Sequence, residues 1–453
     1  MPLLNKKPLT LLKGSLPLIG HGHKLKDDPD AFFQQCRAQH GNIFMLKIQG
    51  AHSTYFNSAK DINNLFAQSK KTSPDEINAK IVRQLFMQSD HHYDEQFKGQ
   101  VKVIRECLKK QNLTPYIQNM QHTLIDAVDT LSTADEVNLH DFIGRLIFVA
   151  ASDALFASQL FLPKSYDDFN CFDRHSFYLS AGVPAFLLRG CIAARNRLFD
   201  KLKTFQSGVK DRPLVSLRHK VFKRFNLSAH DIAAADFSLF WAGNTNTINI
   251  AFWVVYHAAL DAKLKQKLIN EIENTAKNCE KTAHGLPLLT EEATQKMSIM
   301  DSTIHECLRL YSGSMALRDA TEDFSMTLSD GSSLDIKKGE RLSVYPRSSH
   351  LDPNNFKHPE QFQHDRFLND PSLRAYLFPF GGGGNICPGR FFAISEFKLA
   401  LTVFLSLLDF ELINPDVEVI PDKKRLMLGS APPLQDVQFK VKKKHRYAVE
   451  AVA

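Results

Sequence analysis

The stretch Phe380-Gly381-Gly382-Gly383-Gly384-Asn385-Ile386-Cys387-Pro388-Gly389-Arg390 decides how this chain of 453 residues is interpreted. Pro388 suits the first helical position, where a backbone N–H is not needed. Apolar residues then recur at near-helical spacing at Phe392, Phe397, Leu401, Phe404 and Leu408. The sequence therefore predicts a helix from 388 to about 408, with Cys387 at its N-terminus. The helix dipole favours a thiolate there, and the glycines would let the backbone approach a large, flat group.

Three kinds of loop are consistent with this stretch. A loop with a buried cysteine is the simplest. A phosphate loop has a suitable gap between Gly384 and Gly389, but Arg390 and Phe391 stand where Lys and Ser or Thr are required. In a haem-thiolate loop the sulfur ligates iron. Because cysteine, glycines and helix follow one another so closely, the third interpretation is favoured.

At these residues the chain resembles the cytochrome P450 family, whose signature is F-x-x-G-x-[RH]-x-C-x-G. Phe380, Gly383, Cys387 and Gly389 match it. Asn385 stands where the family usually has Arg or His, paired with a haem propionate. The resemblance implies haem b as the cofactor. It makes Cys387 the metal ligand and the other three matching residues part of the cofactor-binding loop.

Two further motifs support the resemblance. Glu306 and Arg309 form E-x-x-R on a predicted helix, which alone indicates no more than a surface ion pair. In the family this pair joins an arginine further on to form a buried structural triad, and Arg366 in Asp365-Arg366-Phe367 is the matching residue. An arginine near position 318 often reaches a haem propionate in the family, so Arg318 would offset the missing basic residue of the loop. A solvent-facing role for Arg318 is equally consistent with the sequence.

A long helix is predicted to begin at Ser228, with Asp231 three residues later as in a capping box. Its centre reads Phe240-Trp241-Ala242-Gly243-Asn244-Thr245-Asn246-Thr247. Four polar residues inside an apolar helix are costly unless they line a cavity or bond something. The oxygen-activating helix of the family reads A-G-x-[DE]-T-[TS]; here Thr245 replaces the acid and Asn246 replaces the first Thr.

The resemblance assigns roles to this helix. Asn246 and Thr247 become the catalytic residues, passing protons to O2 with ordered water. Trp241, Ala242 and Gly243 become part of the substrate pocket. Without the carboxylate that the family carries, the route of the protons is an open question at this point.

With these departures the chain resembles one branch of the family, which contains sterol 7α-hydroxylases, sterol 12α-hydroxylases and prostacyclin synthase. His350-Leu351-Asp352-Pro353 and the C-P-G-R run at the thiolate also resemble it. The branch implies a monooxygenase that hydroxylates a bulky hydrophobic substrate, a sterol or related lipid, with O2 and electrons from a ferredoxin- or flavodoxin-type donor. Two alternatives stay open: a peroxide isomerase of the prostacyclin-synthase kind, and a non-catalytic haem–lipid binder.

The predicted architecture is mainly α with minor β, in one large haem-thiolate domain spanning 1–453. It has a β-containing N-terminal part at about 14–60, a helical core at about 60–315 and the thiolate loop at 380–390. A strand is predicted at 43–48 and a hairpin at 324–336, where turn residues bracket the apolar runs. The apolar stretches 147–162 and 232–260 contain charged or polar residues, so buried core helices are predicted for both.

Composition limits which partners and which cellular compartment fit this chain. A net charge of +7 without a long basic block does not indicate nucleic-acid binding, although it favours an acidic protein partner. The seven cysteines include no closely spaced pair, which is typical of a reducing cytoplasm. The first residues lack both a signal peptide and a membrane span, so we expect a soluble chain, or one that has lost its anchor, with at most peripheral membrane contact. The 34 Phe residues suit a large core or an apolar pocket.

Overall fold

The structure, a computed structural model, describes residues 9–14, 16, 20–25, 28–48, 50–89, 93–130, 136–156, 163–180, 182–205, 212–414 and 417–444. The α-helices in these ranges are, in chain order, α1 (Gly22–Leu25), α2 (Pro29–His40), α3 (Ala59–Ala67), α4 (Asp75–Phe86), α5 (Tyr93–Cys107), α6 (Thr114–Thr130), α7 (Leu139–Phe156), α8 (Tyr166–Ser180), α9 (Arg189–Lys203), α10 (Leu214–Arg224), α11 (Ala229–Leu260), α12 (Ala262–Ala276), α13 (Glu291–Gln295), α14 (Ser298–Tyr311), α15 (Arg347–His350), α16 (Arg366–Asn369) and α17 (Arg390–Leu407).

The strands are shorter than most of the helices, with two to six residues each. They are β1 (Ile43–Ile48), β2 (Ala51–Phe56), β3 (Thr72–Ser73), β4 (Glu136–Asn138), β5 (Ala316–Ala320), β6 (Phe324–Thr327), β7 (Ser333–Ile336), β8 (Arg341–Val344), β9 (Leu408–Leu412) and β10 (Gln438–Lys443). The prediction of a mainly α fold with minor β is therefore confirmed.

The chain divides into two compact units. The first comprises Met1–Lys80, Glu306–Cys387 and Pro421–Ala431, and the second comprises Ile81–His305, Pro388–Ile420 and Pro432–Ala453. The predicted single domain over 1–453, with its internal boundaries, stays a prediction.

The first unit is built on a five-stranded sheet in the order β1-β2-β8-β5-β3. The pairing of β2 with β8 is parallel and the other pairings are antiparallel. Phe56, Ile62, Leu342 and Val344 are fully buried in its core. The predicted strand at 43–48 is β1, and the predicted hairpin is the antiparallel pair β6–β7, so both expectations are confirmed.

The second unit is organised around α11, a helix of 32 residues that packs against α7, α9 and α17. Ser228 is its N-cap, since the Ser228 hydroxyl accepts the backbone N–H of Asp231 at 3.1 Å, as the capping pattern predicts. A helix that is apolar nearly all round belongs inside a protein. The predicted core helix at 232–260 lies within α11. The other predicted core helix, at 147–162, matches the last part of α7, which ends at Phe156. Residues 157–162 lie outside the described residues.

Much of the Phe excess lies in the core of this unit. Phe148 of α7, Phe169 of α8 and Phe240 of α11 form a triangle with ring centroids 5.3–5.6 Å apart. Tilted and edge-on arrangements at this spacing are the favourable geometries for aromatic pairs. The Phe-rich composition is thus explained here by helix packing. A smaller antiparallel sheet in the order β4-β10-β9 also belongs to this unit.

Within the part of the chain that the structure describes, no helix is both long enough and apolar enough to cross a membrane.

Candidate active site

The cysteine loop is closed by its own backbone. The N–H of Cys387 donates to the carbonyl oxygen of Phe380 at 2.9 Å, and the N–H of Ile386 donates to that of Gly383 at 3.2 Å. A single 3₁₀ turn, Gly383–Asn385, lies inside the loop. Cys387 is half-buried and Asn385 is exposed. Three of the predicted cofactor-binding residues, Phe380, Gly383 and Cys387, therefore lie in one hydrogen-bonded loop that ends at the cysteine, and Gly389 lies just beyond it.

The predicted start of the following helix is wrong. The first helical residue of α17 is Arg390, and the N-cap is Gly389, whose carbonyl accepts the N–H of Ala393 at 3.0 Å. Pro388 lies in the preceding turn because the chain must first leave the loop that Cys387 closes. The helix N-terminus therefore lies three residues beyond Cys387.

The structure also gives a different reason for two of the glycines. A Cβ on Gly382 would lie 2.2 Å from the Phe66 ring, and one on Gly383 would lie 2.1 Å from the Phe66 carbonyl oxygen. Gly383 has a φ of +64°, a conformation that L side chains rarely adopt. These glycines therefore allow the loop to pack against α3 of its own chain, whereas the sequence analysis ascribed them to a flat ligand.

Five of the other six cysteines are poor ligand candidates. Burial raises the pKa of Cys36 and of Cys191 to about 11, and it raises the pKa of Cys107, Cys279 and Cys307 as well. The thiolate is the metal-binding form, so a raised pKa disfavours ligation. No two of the seven cysteines, all within the described ranges, are joined by a disulfide.

Arg318 of β5 is a buried cation with few partners. It is 3% exposed, its Nη2 donates to the carbonyl of Gly382 at 3.1 Å, and its guanidinium lies 5.1 Å from the centre of the Phe66 ring. Its Nε and Nη1 have no hydrogen-bond partner, and burial lowers its pKa. A buried guanidinium with unmet donors calls for a carboxylate. Arg318 beside Gly382 therefore fits the propionate of a haem.

The predicted triad residues lie together in the structure. Glu306 Oε1 and Oε2 accept Nη2 and Nε of Arg309 at 2.7 and 2.8 Å, and both oxygens accept Nε of Arg366 at 3.1 Å. Glu306 and Arg309 are completely buried and Arg366 is 6% exposed. The remaining guanidinium N–H groups donate to backbone carbonyls of the segment 350–361, including those of His350 and Pro359. One carboxylate thus joins α14 to the long meander before the cysteine loop.

The middle of α11 presents one open face. Between Asp231 and Ala258 only Ala242 and Asn246 are exposed, and all other residues are buried or half-buried. Residues four apart lie on the same side of a helix. Ala242, predicted for the substrate pocket, and Asn246, predicted to be catalytic, therefore lie on the same solvent-accessible side of the helix.

The other two predicted pocket residues face protein. A Cβ on Gly243 would lie 2.5 Å from Cδ1 of Leu155, so this glycine allows α11 to approach α7 closely. Trp241 is half-buried, and its indole N–H donates to Asp173 of α8 at 2.8 Å. Ala242 is the member of the predicted pocket set that is open to solvent.

Two carboxylates that the sequence analysis did not identify contact this part of α11. The hydroxyl of Thr245 donates to Asp173 at 2.6 Å, and that of Thr247 donates to Glu396 of α17 at 3.2 Å. Burial raises the pKa of Glu396 well above its usual value. Glu396 interrupts an apolar helical run, which is a signal that the sequence offers; Asp173 carries no such signal, because its partners lie 68 and 72 residues away.

Known proteins are similar to this chain along most of its length. The cytochrome P450 family model matches residues 11–211 and 199–439. Cytochrome P450 7A1 of Oryctolagus cuniculus is 28% identical over 470 residues, covering 96% of this chain and 93% of that protein. The 25-hydroxycholesterol 7-alpha-hydroxylase of Rattus norvegicus is 29% identical over 354 residues, with 73% and 85% covered. The 7-alpha-hydroxycholest-4-en-3-one 12-alpha-hydroxylase of Homo sapiens is 24% identical over 475 residues, with 94% and 91% covered.

The family match spans nearly the whole described chain, and the family binds haem through an axial cysteine thiolate. The chain therefore belongs to the cytochrome P450 family and is a haem-thiolate oxidoreductase of the monooxygenase type.

Proposed function

We propose that this enzyme hydroxylates a C–H bond of a sterol or closely related lipid, using O2 and electrons from a protein donor. The observation that carries the proposal is the similarity, over 73% and 94% of this chain, to proteins named as a 25-hydroxycholesterol 7-alpha-hydroxylase and a 7-alpha-hydroxycholest-4-en-3-one 12-alpha-hydroxylase. Ala242 and Asn246, the exposed residues in the middle of α11, support it, since a substrate and O2 need an accessible face.

The proposal assigns roles to residues of this chain. Cys387 is the axial ligand, and Arg318 binds a haem propionate. Bound haem supplies the redox chemistry that activates O2. Asn246 presents a polar side chain on the open face of α11 and binds water there. Thr247, whose hydroxyl donates to Glu396, acts only through that acid.

A peroxide isomerase is the second candidate. The observation that favours it is the sequence of α11, which carries no Asp or Glu between Asp236 and its C-terminal end at Leu260. An isomerase that starts from a peroxide needs neither electrons nor a supply of protons for O2.

A labelling experiment separates the candidates. Sterols, fatty acids and terpenoids are first screened for a low-spin to high-spin shift of the haem spectrum. The best binders are then incubated under ¹⁸O2 with a ferredoxin or flavodoxin and its reductase. We expect one ¹⁸O atom in a hydroxylated sterol and no product when the donor is omitted. Conversion of an endoperoxide without any donor establishes the isomerase, and tight binding without either product establishes a binder.

Arg318 provides a test of cofactor binding. Hydrogen bonds to charged groups contribute about 1.5–3 kcal/mol, so Arg318→Gln should weaken haem affinity by about 10- to 100-fold. Transfer of haem to apomyoglobin measures this loss. Arg341→Gln is the matched control, because Arg341 of the adjacent strand β8 already pairs with Asp319 at 2.8 Å. Equal haem loss from both variants would remove Arg318 from the cofactor site.

We propose a ferredoxin- or flavodoxin-type electron donor. Lys98, Lys102 and Arg105 are exposed at i, i+4 and i+7 and therefore lie along one face of α5. A row of positive charges suits the acidic surface of such donors and would accelerate their association at low salt.

We further propose peripheral contact with a membrane surface in a reducing, cytoplasmic compartment. Phe186 and Leu187, on the short turn between α8 and α9, are 65% and 64% exposed, and Tyr178 nearby is 44% exposed. Exposed apolar side chains of this size mark interaction sites when they cluster. The reducing compartment is supported by cysteines that form no disulfide.

A further inference from the structure

Asp173 of α8 accepts hydrogen bonds from two successive turns of α11. The indole N–H of Trp241 donates to Oδ1 at 2.8 Å, and the hydroxyl of Thr245 donates to the same oxygen at 2.6 Å. Asp173 is 8% exposed, so a nearly buried carboxylate lies directly against the middle of α11.

This contact adjoins the open face of α11. Trp241 is followed directly by Ala242, and Thr245 is followed directly by Asn246. Ala242 and Asn246 are the two exposed residues in the middle of α11. Successive residues are rotated by about 100° around a helix of 3.6 residues per turn. The face that binds Asp173 and the accessible face therefore lie side by side on the same two turns.

The proposed reaction needs protons at that face. Hydroxylation converts a C–H bond, O2, two electrons and two protons into an alcohol and water. The middle of α11 contains no carboxylate of its own. Carboxylates from two other helices make hydrogen bonds to it, Asp173 through Thr245 and Glu396 through Thr247.

The two carboxylates differ in their access to solvent. Glu396 is 1% exposed, and burial raises its pKa well above the usual value. A proton lost from so enclosed a group is replaced slowly. Asp173 belongs to a helix at the surface, where its neighbour Arg174 is exposed and His175 is half-buried. Asp173, at 8% exposed against 1% for Glu396, is therefore the less enclosed of the two carboxylates.

We propose that Asp173 supplies the protons that α11 itself cannot provide, and that it passes them through the hydroxyl of Thr245 to water at Asn246. The inference rests on the proposed monooxygenase function. Once protonated from bulk water, the Asp173 carboxyl donates to Thr245 Oγ, so that this hydrogen bond reverses its direction. As it does so, the original hydroxyl proton of Thr245 leaves towards the open face. Asp173 returns to the carboxylate and is reloaded from solvent.

Kinetics of three variants test this role. Positioned proton transfer contributes about 10²–10⁴-fold to rates, so Asp173→Asn should lower product formation about 100-fold. The share of electrons recovered as hydrogen peroxide and the solvent deuterium isotope effect should both rise, whereas the substrate-induced spectral shift should be unchanged. Thr245→Val should behave likewise, and Asp173→Glu should restore coupling. The control is Asp168→Asn, since Asp168 lies on the same helix as Asp173 but pairs at the surface with Arg197 of α9.

A spectroscopic measurement tests the contact without turnover. The chain has two tryptophans, so 5-fluorotryptophan labelling gives two ¹⁹F resonances. Trp241→Phe identifies the one from Trp241. Asp173→Asn should move this resonance and leave that of Trp253 in place. Asp168→Asn should leave both resonances unchanged.

The outcomes are distinct from those that test the overall function. If the wild type hydroxylates a sterol but Asp173→Asn keeps normal coupling and isotope effect, the role of Asp173 is refuted and the monooxygenase stands. If Glu396→Gln produces the uncoupling instead, the proton source is Glu396. A wild type that makes no product with any donor refutes the proposed function, and the inference with it.

Discussion

Replacing Cys387 by alanine is expected to abolish turnover and the absorption band that a thiolate-ligated haem gives in its reduced carbon monoxide complex. Cys387 ends the loop, which its backbone N–H closes by donating to the Phe380 carbonyl. Five of the other six cysteines have a raised pKa, which favours the thiol form. No other residue at that place can provide an anionic sulfur. Difference spectroscopy and product analysis measure both losses.

Cys279→Ser is the matched control for this variant. Cys279 is half-buried and lies between α12 and α13, and its pKa is raised by burial. It should retain the spectrum and turnover of the wild type. Because an alanine variant can lose haem altogether, the haem content of Cys387→Ala is measured by extraction. A thiolate spectrum or normal turnover in that variant would show that another residue ligates the iron.

Replacing Glu306 by glutamine should destabilise the protein severely. The carboxylate of Glu306 is shared by Arg309 and Arg366, and all three side chains are buried. Breaking a buried ion pair from one side costs about 3–5 kcal/mol, because the partner charge is left uncompensated. Here two guanidinium groups lose their counter-charge. Since native domains are stable by about 5–15 kcal/mol, we expect little soluble haem protein.

Soluble yield, haem incorporation and urea unfolding of the surviving protein measure this effect. The control is Glu292→Gln, which removes an exposed pair with Lys296 at 3.0 Å. Exposed pairs contribute about 0–1 kcal/mol, so its unfolding midpoint should be close to that of the wild type. If Glu306→Gln unfolds at the same urea concentration as this control, the triad does not hold the meander in place.

The local elements could be predicted because neighbouring residues determine them. Turn residues on either side fix β1 and the β6–β7 hairpin, and Ser228 caps α11 through a residue three positions away. The strand, the hairpin and the cap depend on short-range spacing, which a sequence displays directly. The triad of Glu306, Arg309 and Arg366 and the role of Cys387 were instead implied by the resemblance to the family, since Arg366 is 60 residues from Glu306.

Other features of the site depend on residues that meet only in the folded chain. Gly382 is required by Phe66 of α3, and the start of α17 at Arg390 follows from the closure of the cysteine loop. Neither reason can be read from the stretch 380–390 alone. The sequence therefore showed no sign of the packing that Gly382 and Gly383 allow, and it placed the start of the following helix two residues too early.

The sequence by itself determined the family, the mainly α fold and the identity of the candidate ligand, because motif residues and periodicities are properties of the linear chain. The tertiary structure decided which side chains of α11 are open, which of its hydroxyls bind carboxylates, and that Asp173 and Glu396 supply those carboxylates. Thr245 and Asp173 are 72 residues apart, and Thr247 and Glu396 are 149 apart. Only the packing of α8 and α17 against α11 brings these groups within hydrogen-bond distance, so the missing acid of one helix can be replaced by a residue of another.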